Sequence, residues 1–376
     1  MAAALSSLRG VARSKSVRTP LLAWLVSRAL GAFALVVTPT PDGRWFNAFG
    51  LTAMDGGWYR IIITQGYPNW WSSKVSTTWP FFPLYPWLAD LPTRLGAPVG
   101  PSLIMVSWLA ALVAFVGVWR LVSLRFDAQV AGLSVWLVAL LPGSIGLVLS
   151  YSDSLFLAGL VWVLVLIDAV ARAKADGAVV SGLGVSRWAW WQIGGLACVA
   201  TASRPNGFGV VVVAMIAVWC IDRKWRHAVA VALPSIVFLV SWMVYCQRKV
   251  GDPFVFLAAK EAWVESPIWE FFAHPLAREA VPVHLGVAVV VVAVAVPSMR
   301  RLPVWWTWSA VLLVVPQLLL GMEGLARYVT LAAPLPIACA LTLSRRPRPV
   351  QWAAVVVSAG GMMLLGIWVV RYSWVP

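Results

Sequence analysis

Five consecutive residues, Asp55-Gly56-Gly57-Trp58-Tyr59, place one carboxylate beside two glycines and two large aromatic rings. A carboxylate in such a position can act as a general base toward a hydroxyl group. The glycines leave room for a substrate to approach, and the rings offer flat apolar surfaces for a sugar or a lipid. The same Asp-Gly-Gly sequence would also suit the cap of a following helix, so the residues alone leave both interpretations open.

Two arginines, Arg204 and Arg327, are candidates for binding a phosphate group. A guanidinium group offers a bidentate fork of hydrogen-bond donors and keeps its charge at any physiological pH. Structural ion pairs are the alternative, with Asp153 and Glu323 as the obvious partners. The residue types do not decide between these roles.

Other kinds of reactive site find little support in the sequence. His227, His274 and His284 lack the spacing of metal ligands, and the four cysteines lie in apolar segments without a Cys-x-x-Cys pair. The chain has no P-loop, no dinucleotide-binding glycine pattern after a strand and no Gly-x-Ser-x-Gly motif. We therefore expect neither a metal ion nor another cofactor.

The composition indicates which elements must position these residues. Of the 376 residues, 61% are hydrophobic and 11% are charged, whereas roughly a quarter of the residues in a soluble domain are charged. Apolar runs recur along the chain, each about 17 to 22 residues long and so able to cross a ~30 Å hydrocarbon core as a helix. The sequence predicts an all-α, polytopic membrane protein that forms a single integral membrane domain, residues 1–376.

The apolar runs predict about eleven transmembrane helices. They cover residues 19–38, 101–121, 128–148, 152–171, 190–203, 206–221, 227–246, 284–299, 303–320, 326–343 and 351–370. The first follows a basic segment and is too long for the apolar core of a cleaved signal peptide, so we expect it to remain as a signal anchor.

The formal net charge of +15 follows from the side of the membrane on which the basic residues lie. With a cytoplasmic N-terminus, more than half of the 29 Lys and Arg residues fall in cytoplasmic connections. The acidic residues on that side are Asp127, Asp168, Asp176 and Asp222. Basic cytoplasmic loops are a topology signal, and the charge therefore gives no indication of a nucleic-acid partner.

This topology puts two long loops, residues 39–100 and 247–283, on the extracytoplasmic side. The ionisable residues near that side come from distant parts of the chain: Asp55, Arg60, Asp153, Arg204, Glu323 and Arg327. Charges at membrane depth usually pair with one another or line a substrate path. We therefore predict an outward-facing cavity that holds both carboxylates and arginines.

Two segments are apolar but interrupted. Residues 79–88 are rich in aromatic residues and contain three prolines, so we expect them to lie in the membrane interface, with a re-entrant structural plug as the alternative. Residues 203–207, Ser-Arg-Pro-Asn-Gly, separate two apolar runs that are each too short for a full crossing. This break is predicted to lie recessed in the outer leaflet.

Several ordered sequence blocks together span most of the chain. They are Ser27-Arg28, Asp55-Gly56-Gly57-Trp58-Tyr59, Gly66-Tyr67-Pro68, Phe81-Phe82-Pro83-Leu84-Tyr85-Pro86, Pro142-Gly143-Ser144, Tyr151-Ser152-Asp153-Ser154-Leu155-Phe156, Ser203-Arg204-Pro205-Asn206-Gly207 and Arg327-Tyr328. In these blocks the chain resembles the bacterial members of the GPI mannosyltransferase II (PIG-V type) family. That family lies within the GT-C class of polyprenyl-phosphate-sugar-dependent glycosyltransferases.

The resemblance implies a GT-C membrane fold and an inverting transfer of mannose from a polyprenyl-phosphate-mannose donor to a lipid or glycan acceptor. The enzyme would lie in the cell membrane with its active site on the extracytoplasmic face. Asp55 matches the acidic residue that acts as the catalytic base in the first outer loop. The predicted substrate-binding residues are Trp58, Tyr59, Arg60, Tyr67, Asp153, Arg204, Glu323 and Arg327.

Two alternatives remain open. A lipid-linked glycan flippase or transporter would also have a membrane cavity with arginines and aromatic residues, but it predicts charges along a whole translocation path. A GT-C transferase of another sugar, such as arabinose or glucose, is excluded by none of the residues. The acceptor and the linkage are not given by the sequence.

Overall fold

The computed structural model describes residues 15–39, 48–175, 188–263, 280–320 and 322–372. These residues form helices joined by turns, and no strand occurs among them. The helices are α1 (Lys15–Val37), α2 (Asp55–Gln65), α3 (Leu84–Arg94), α4 (Val99–Ser123), α5 (Ala128–Leu140), α6 (Ile145–Val148), α7 (Asp153–Ala175), α8 (Ala189–Ser203), α9 (Phe208–Ile221), α10 (Trp225–Val250), α11 (Val255–Ala258), α12 (Ala280–Met299), α13 (Val304–Leu320), α14 (Leu325–Leu331), α15 (Pro334–Leu343) and α16 (Arg348–Tyr372). The predicted all-α fold is confirmed.

Among the described residues, six helices are long and apolar enough to cross a membrane: α1, α4, α7, α10, α12 and α16. Two bent pairs, α5 with α6 and α14 with α15, raise the number to eight if each pair forms one span. The helices α8, α9 and α13 are apolar but shorter. These elements coincide in position with the eleven predicted segments, although length and composition alone support six to eight crossings.

Two of the predicted spans are not continuous helices. The chain bends by 67° between α5 and α6 and by 76° between α14 and α15. Leu141, with an extended ψ of 152°, precedes Pro142, and Pro334 is the first residue of α15. Proline lacks the N–H that would continue a helix and keeps the preceding residue out of the helical conformation, which explains the first bend directly.

The two bends pack against each other. A Cβ atom at Gly143 would lie 2.0 Å from the backbone oxygen of Ala326, so the two backbones are in direct contact there. At Gly146 a Cβ atom would lie 2.6 Å from Oδ2 of Asp153 and 3.0 Å from Cδ of Arg327. The bends therefore bring α14 beside the start of α7, because small residues at the contact let the backbones approach.

The predicted break at residues 203–207 is confirmed. Helix α8 ends at Ser203, Arg204 is extended with φ −166° and ψ 152°, and a single 3-10 turn over Pro205–Gly207 leads into α9. A Cβ atom at Gly207 would lie 2.2 Å from the backbone oxygen of Ala200, so the turn folds closely against the end of α8.

The aromatic segment 79–88 folds into the protein. Trp79, Phe82 and Tyr85 are fully buried, and the Tyr85 hydroxyl donates a hydrogen bond to the backbone oxygen of Leu103 at 2.9 Å. Phe82 also packs against Trp242 of α10. Trp87 of the same segment is 57% exposed, so the segment packs on the protein with three rings and presents a fourth at the surface. Both the interfacial segment and the re-entrant plug stay predictions.

Candidate active site

Asp55 is the first residue of α2 and follows Met54, which occupies the cap position with a positive φ of 54°. Its Oδ2 atom accepts a hydrogen bond from Nη1 of Arg327 at 3.2 Å. The other oxygen, Oδ1, accepts no hydrogen bond from the described residues, and 20% of the side chain is exposed. One carboxylate oxygen is therefore held by Arg327, and the side chain makes no cap hydrogen bond to the helix.

The two glycines after Asp55 have different roles. A Cβ atom at Gly56 would lie 2.2 Å from Oγ of Ser150, so α2 packs closely on the turn before α7. At Gly57 no atom lies within 4 Å of the Cβ position. Open space therefore lies beside Gly57 but not beside Gly56, and the use of that space by a substrate stays a prediction.

Two further ionic contacts connect Asp55 to the interior. Nε of Arg327 lies 3.5 Å from Oδ2 of Asp153, and Nη1 of Arg204 forms an ion pair with Oδ1 of the same carboxylate. The side chains of Asp153, Arg327 and Arg204 are 1%, 9% and 11% exposed. Four charges from α2, α7, the turn after α8 and α14 thus form one network, as the predicted clustering requires.

Aromatic rings surround the two arginines. The guanidinium carbon of Arg204 lies 5.4 Å from the centre of the Tyr328 ring, and Nη2 donates a hydrogen bond to the Tyr328 hydroxyl at 3.4 Å. The guanidinium carbon of Arg327 lies 5.4 Å from the ring of Tyr151 and 5.6 Å from that of Tyr328. These cation–π contacts stabilise the arginines and fix the planes of their forks.

A cavity of about 110 Å³ adjoins the network. It is lined by polar and aromatic side chains and two prolines: Asp55, Tyr59, Pro80, Phe81, Phe82, Ser152, Arg204, Pro205, Asn206, Lys260 and Tyr328. Lys260, from the 3-10 turn after α11, makes no ion pair with the described residues. The cavity therefore has an open carboxylate, two cations and several ring faces around one small volume.

Tyr59 is in the cavity wall and is held by a hydrogen bond. Its hydroxyl donates to Oγ of Ser152 at 2.8 Å. Burial, followed by the negative charge of Asp55, raises the pKa of the Tyr59 hydroxyl well above its ordinary value. The phenol is therefore neutral at physiological pH and serves as a hydrogen-bonding wall residue.

Three other predicted site residues lie outside the cavity wall. Trp58 stacks on Phe81, with ring centres 6.2 Å apart and planes at 17°, so it supports a wall residue from behind. The Tyr67 hydroxyl donates to the backbone oxygen of Phe81 at 2.7 Å and its ring is buried, which is a structural role. Arg60, five residues after Asp55 in the same helix, is exposed to the surroundings.

The last predicted residue, Glu323, lies in a 3-10 turn over Met322–Gly324 directly before α14. Its side chain is outside the described part of the structure. In the described residues, the arginine partners are therefore Asp55 and Asp153.

Four lining residues with polar side chains were not assigned a role from the sequence. Ser152, Asn206 and Tyr328 each stand next to a predicted residue within the quoted blocks, and that adjacency was the available signal. Lys260 had no such signal, because a single lysine in a long loop has no pattern to distinguish it. Among the described residues, no group of three or more His, Cys, Asp or Glu side chains could hold a metal ion.

The fold is similar to that of two kinds of solved glycosyltransferase. The oligosaccharyltransferase of Archaeoglobus fulgidus, tethered to an acceptor peptide, has a TM-score of 0.54 at 14% identity over 95% of this chain. ArnT from Cupriavidus metallidurans, bound to undecaprenyl phosphate, has a TM-score of 0.55 at 14% identity over 90% of this chain. The fold is GT-C-like. The prediction of that fold class is therefore confirmed.

The similarity covers 56% of the oligosaccharyltransferase and 62% of ArnT, so the chain spans little more than half the length of these proteins. No family model and no curated relative matches the chain. The resemblance to the GPI mannosyltransferase II family therefore stays a prediction from the quoted sequence blocks.

Proposed function

We propose that this protein is a membrane glycosyltransferase that moves mannose from a polyprenyl-phosphate-mannose donor to a hydroxyl group of a lipid or glycan acceptor. The observation that supports this most is the position of Asp55, whose partly exposed side chain lines a cavity that also contains Arg204 and Lys260. A base for the acceptor and cations for a phosphate flank the same volume. The reaction would take place on the extracytoplasmic face of the cell membrane.

The reaction follows from this arrangement. Oδ1 of Asp55 accepts the proton of the acceptor hydroxyl while the hydroxyl oxygen attacks the anomeric carbon of the donor sugar. The bond between that carbon and the phosphate oxygen breaks, and polyprenyl phosphate leaves with the electron pair. A single base with no covalent intermediate gives inversion at the anomeric carbon.

Cations in the cavity account for the departure of the phosphate. Arg204 and Lys260 line the cavity, and donors of fixed orientation stabilise the charge that develops on a leaving group. In the ionic network, the negative charges of two carboxylates already balance the positive charges of two arginines. Lys260 adds the charge that an anionic donor requires.

Arg327 differs from Arg204 in its contacts. It lies between Asp55 and Asp153 and is not in the cavity wall. We assign it to positioning the base, because its hydrogen bond to Oδ2 holds the Asp55 carboxylate beside the cavity. Asp153 contacts both arginines and fixes the positions of their guanidinium groups relative to each other.

The lipid part of the proposal has separate support. ArnT, which has a similar fold, was solved with undecaprenyl phosphate bound, and the oligosaccharyltransferase was solved with an acceptor peptide. The identity of the sugar is supported by the sequence blocks. Ring faces of Tyr59, Phe81 and Tyr328 in the cavity are suited to packing against a sugar.

The test is transfer of radiolabelled mannose from polyprenyl-phosphate mannose to lipid acceptors by the purified protein. Asp55→Asn is compared with Asp90→Asn, since Asp90 is a carboxylate of the same outer loop that pairs with exposed Arg94. We expect transfer by the wild type and by Asp90→Asn, and loss with Asp55→Asn. Equal transfer by both variants would overturn the assignment of the base, whereas transfer only from glucose or arabinose donors would overturn the assignment of the sugar.

A further inference from the structure

A second cavity lies at the opposite end of the helix bundle from Asp55. It has a volume of about 430 Å³ and lies between the starts of α1, α5 and α16 and the end of α4. Trp119, near the end of α4, lines it, whereas Ser107 of the same helix contacts the turn before α7 near the candidate site. The twelve residues between them span ~18 Å of helix. The proposed transfer reaction uses none of this cavity.

The polar edge of the cavity contains one cation without a partner among the described residues. Arg348, at the start of α16, is exposed to the cavity mouth and makes no ion pair or hydrogen bond with that part of the chain. The neighbouring Gln351 is fixed, because its amide nitrogen donates to the backbone oxygen of Arg346 at 2.8 Å and its oxygen accepts from Gln129 at 3.3 Å. Gln351 thus joins α5 to α16, while the Arg348 fork is free to bind an anion.

The charge around this cavity is positive. Arg18, Arg120, Arg345 and Arg346 lie within three residues of helix ends at this end of the bundle. Among the described residues, Asp127 is the acidic residue adjacent in sequence to the cavity lining, and its side chain accepts a hydrogen bond from the backbone nitrogen of Val130 and caps α5. Asp168, predicted on the same side of the membrane, is paired with Arg125. Residues 1–14, which precede α1 in the sequence, contain no acidic residue.

The rest of the wall is apolar and leads outward. The rings of Trp136 and Trp352 are 6.0 Å apart at 68°, and Trp119 forms the buried side. Trp352 is 54% exposed, and Val356, one helical turn further along α16, is 67% exposed. Exposed apolar residues one turn apart on a long apolar helix face lipid. The cavity therefore opens onto the exposed apolar face of α16, with its cation at the start of that helix.

We propose that this cavity binds one anionic phospholipid. Its phosphate contacts the Arg348 fork, and an acyl chain lies along Trp136 and Trp352 toward Val356. A free phosphate ion would use Arg348 but would leave the apolar part of a 430 Å³ cavity unfilled. A neutral lipid would fill the apolar part but would leave the cation without a counter-charge.

The test measures lipid retention by native mass spectrometry and thermal unfolding of the full-length protein in detergent. Phosphatidylglycerol, phosphatidylcholine and inorganic phosphate are added in separate experiments. We expect phosphatidylglycerol to be retained and to raise Tm, and the other two to do neither. An equal rise with phosphate alone would establish a free-anion site, and an equal rise with phosphatidylcholine would establish an apolar groove without headgroup selection; either result overturns the proposal.

Two variants and two matched controls assign the effect to this cavity. Arg348→Gln should reduce phosphatidylglycerol affinity about fivefold, the effect of one cation beside an anionic lipid surface. Gly132→Leu should occupy the cavity, since a Cβ atom there has ordinary contacts of 3.6 Å with Trp119 and 3.8 Å with Thr19.

The controls are Arg371→Gln, at the other end of α16, and Gly360→Leu, where no atom lies within 4 Å of the Cβ position. Both should bind phosphatidylglycerol like the wild type. Unchanged affinity in Arg348→Gln contradicts the proposal even if Gly132→Leu fails to fold.

Discussion

Two carboxylates of this protein are held in contrasting ways. Asp168 of α7 is fully buried, with Oδ2 paired to Nε of Arg125 and Oδ1 accepting a hydrogen bond from Nε1 of Trp305 at 2.9 Å. Asp55 is 20% exposed, is hydrogen-bonded at Oδ2 alone among the described residues, and lines a cavity. A carboxylate with both oxygens occupied joins helices, whereas one with a free oxygen beside a cavity can also accept a proton.

Asp153 lies between these two cases. It contacts arginines at both oxygens and is 1% exposed, which resembles Asp168, yet its partners belong to the candidate site. By the same criterion we expect it to act as a positioning residue, although the sequence predicts it among the substrate-binding residues. Burial of a charge near a site is therefore weaker support for a chemical role than an unoccupied atom that faces the cavity.

The largest expected effect is the loss of transfer in Asp55→Asn. An amide cannot accept the acceptor proton, so we expect the rate to fall by about 10²- to 10⁴-fold, the usual contribution of a general base. Single-turnover transfer of radiolabelled sugar measures the change. Tm should stay close to that of the wild type, since the amide oxygen of the substituted side chain can still accept a hydrogen bond from Arg327. A fall in activity that matches a loss of folded protein would show that Asp55, like Asp168, has a structural role.

The opposite pattern is expected for Asp168→Ala. Removal of one partner leaves Arg125 without its counter-charge and Trp305 without its acceptor, and breaking a buried ion pair typically costs about 3–5 kcal/mol. Thermal unfolding in detergent should show a marked drop in Tm. The transfer rate for each folded molecule should be unchanged, and a rate loss at intact stability would contradict the comparison.

Arg204→Lys separates charge from geometry within the site. Lysine keeps the positive charge but has no fork, so it cannot contact Asp153 and a phosphate with the same orientation. Loss of one oriented donor to a developing anion costs about 10²- to 10³-fold in rate. Donor KM and turnover are measured separately, and a variant with normal turnover would show that charge alone suffices.

The helices were predictable because long apolar runs are the strongest signal in this sequence. The bends at Pro142 and Pro334 were not, since hydropathy is the same for a straight and a bent apolar segment. The meeting of Asp55, Arg204 and Arg327 followed from the topology, which placed them on one side. Their detailed order did not follow, because it depends on the contact between the two bends at Gly143.

The two long loops illustrate the limit of residue type as a guide. Arg60 has the charge and the neighbourhood of a phosphate ligand, but it lies on the exposed side of α2. Lys260 comes from the second long loop and has no motif around it, yet it lines the cavity. The position of Arg60 along the turns of α2 decides that its side chain is exposed. Long-range packing of the second long loop decides that Lys260 lines the cavity.

The smallest predicted effect compares these two cations directly. Lys260→Gln removes a charge from the cavity wall, so donor KM should rise by about tenfold, a change of ~1.4 kcal/mol that fits one charged hydrogen bond. Arg60→Gln removes the same charge at an exposed position and should leave KM within about twofold, as expected for surface charges.

Both variants lower the net charge by one, so a general effect on attraction of the anionic donor would change their KM values equally. Only a local contact in the cavity predicts a difference, and that difference should persist at high salt, where long-range attraction is screened. Equal KM values at high salt would mean that Lys260 acts through the overall field of the loops and not as a ligand of the phosphate.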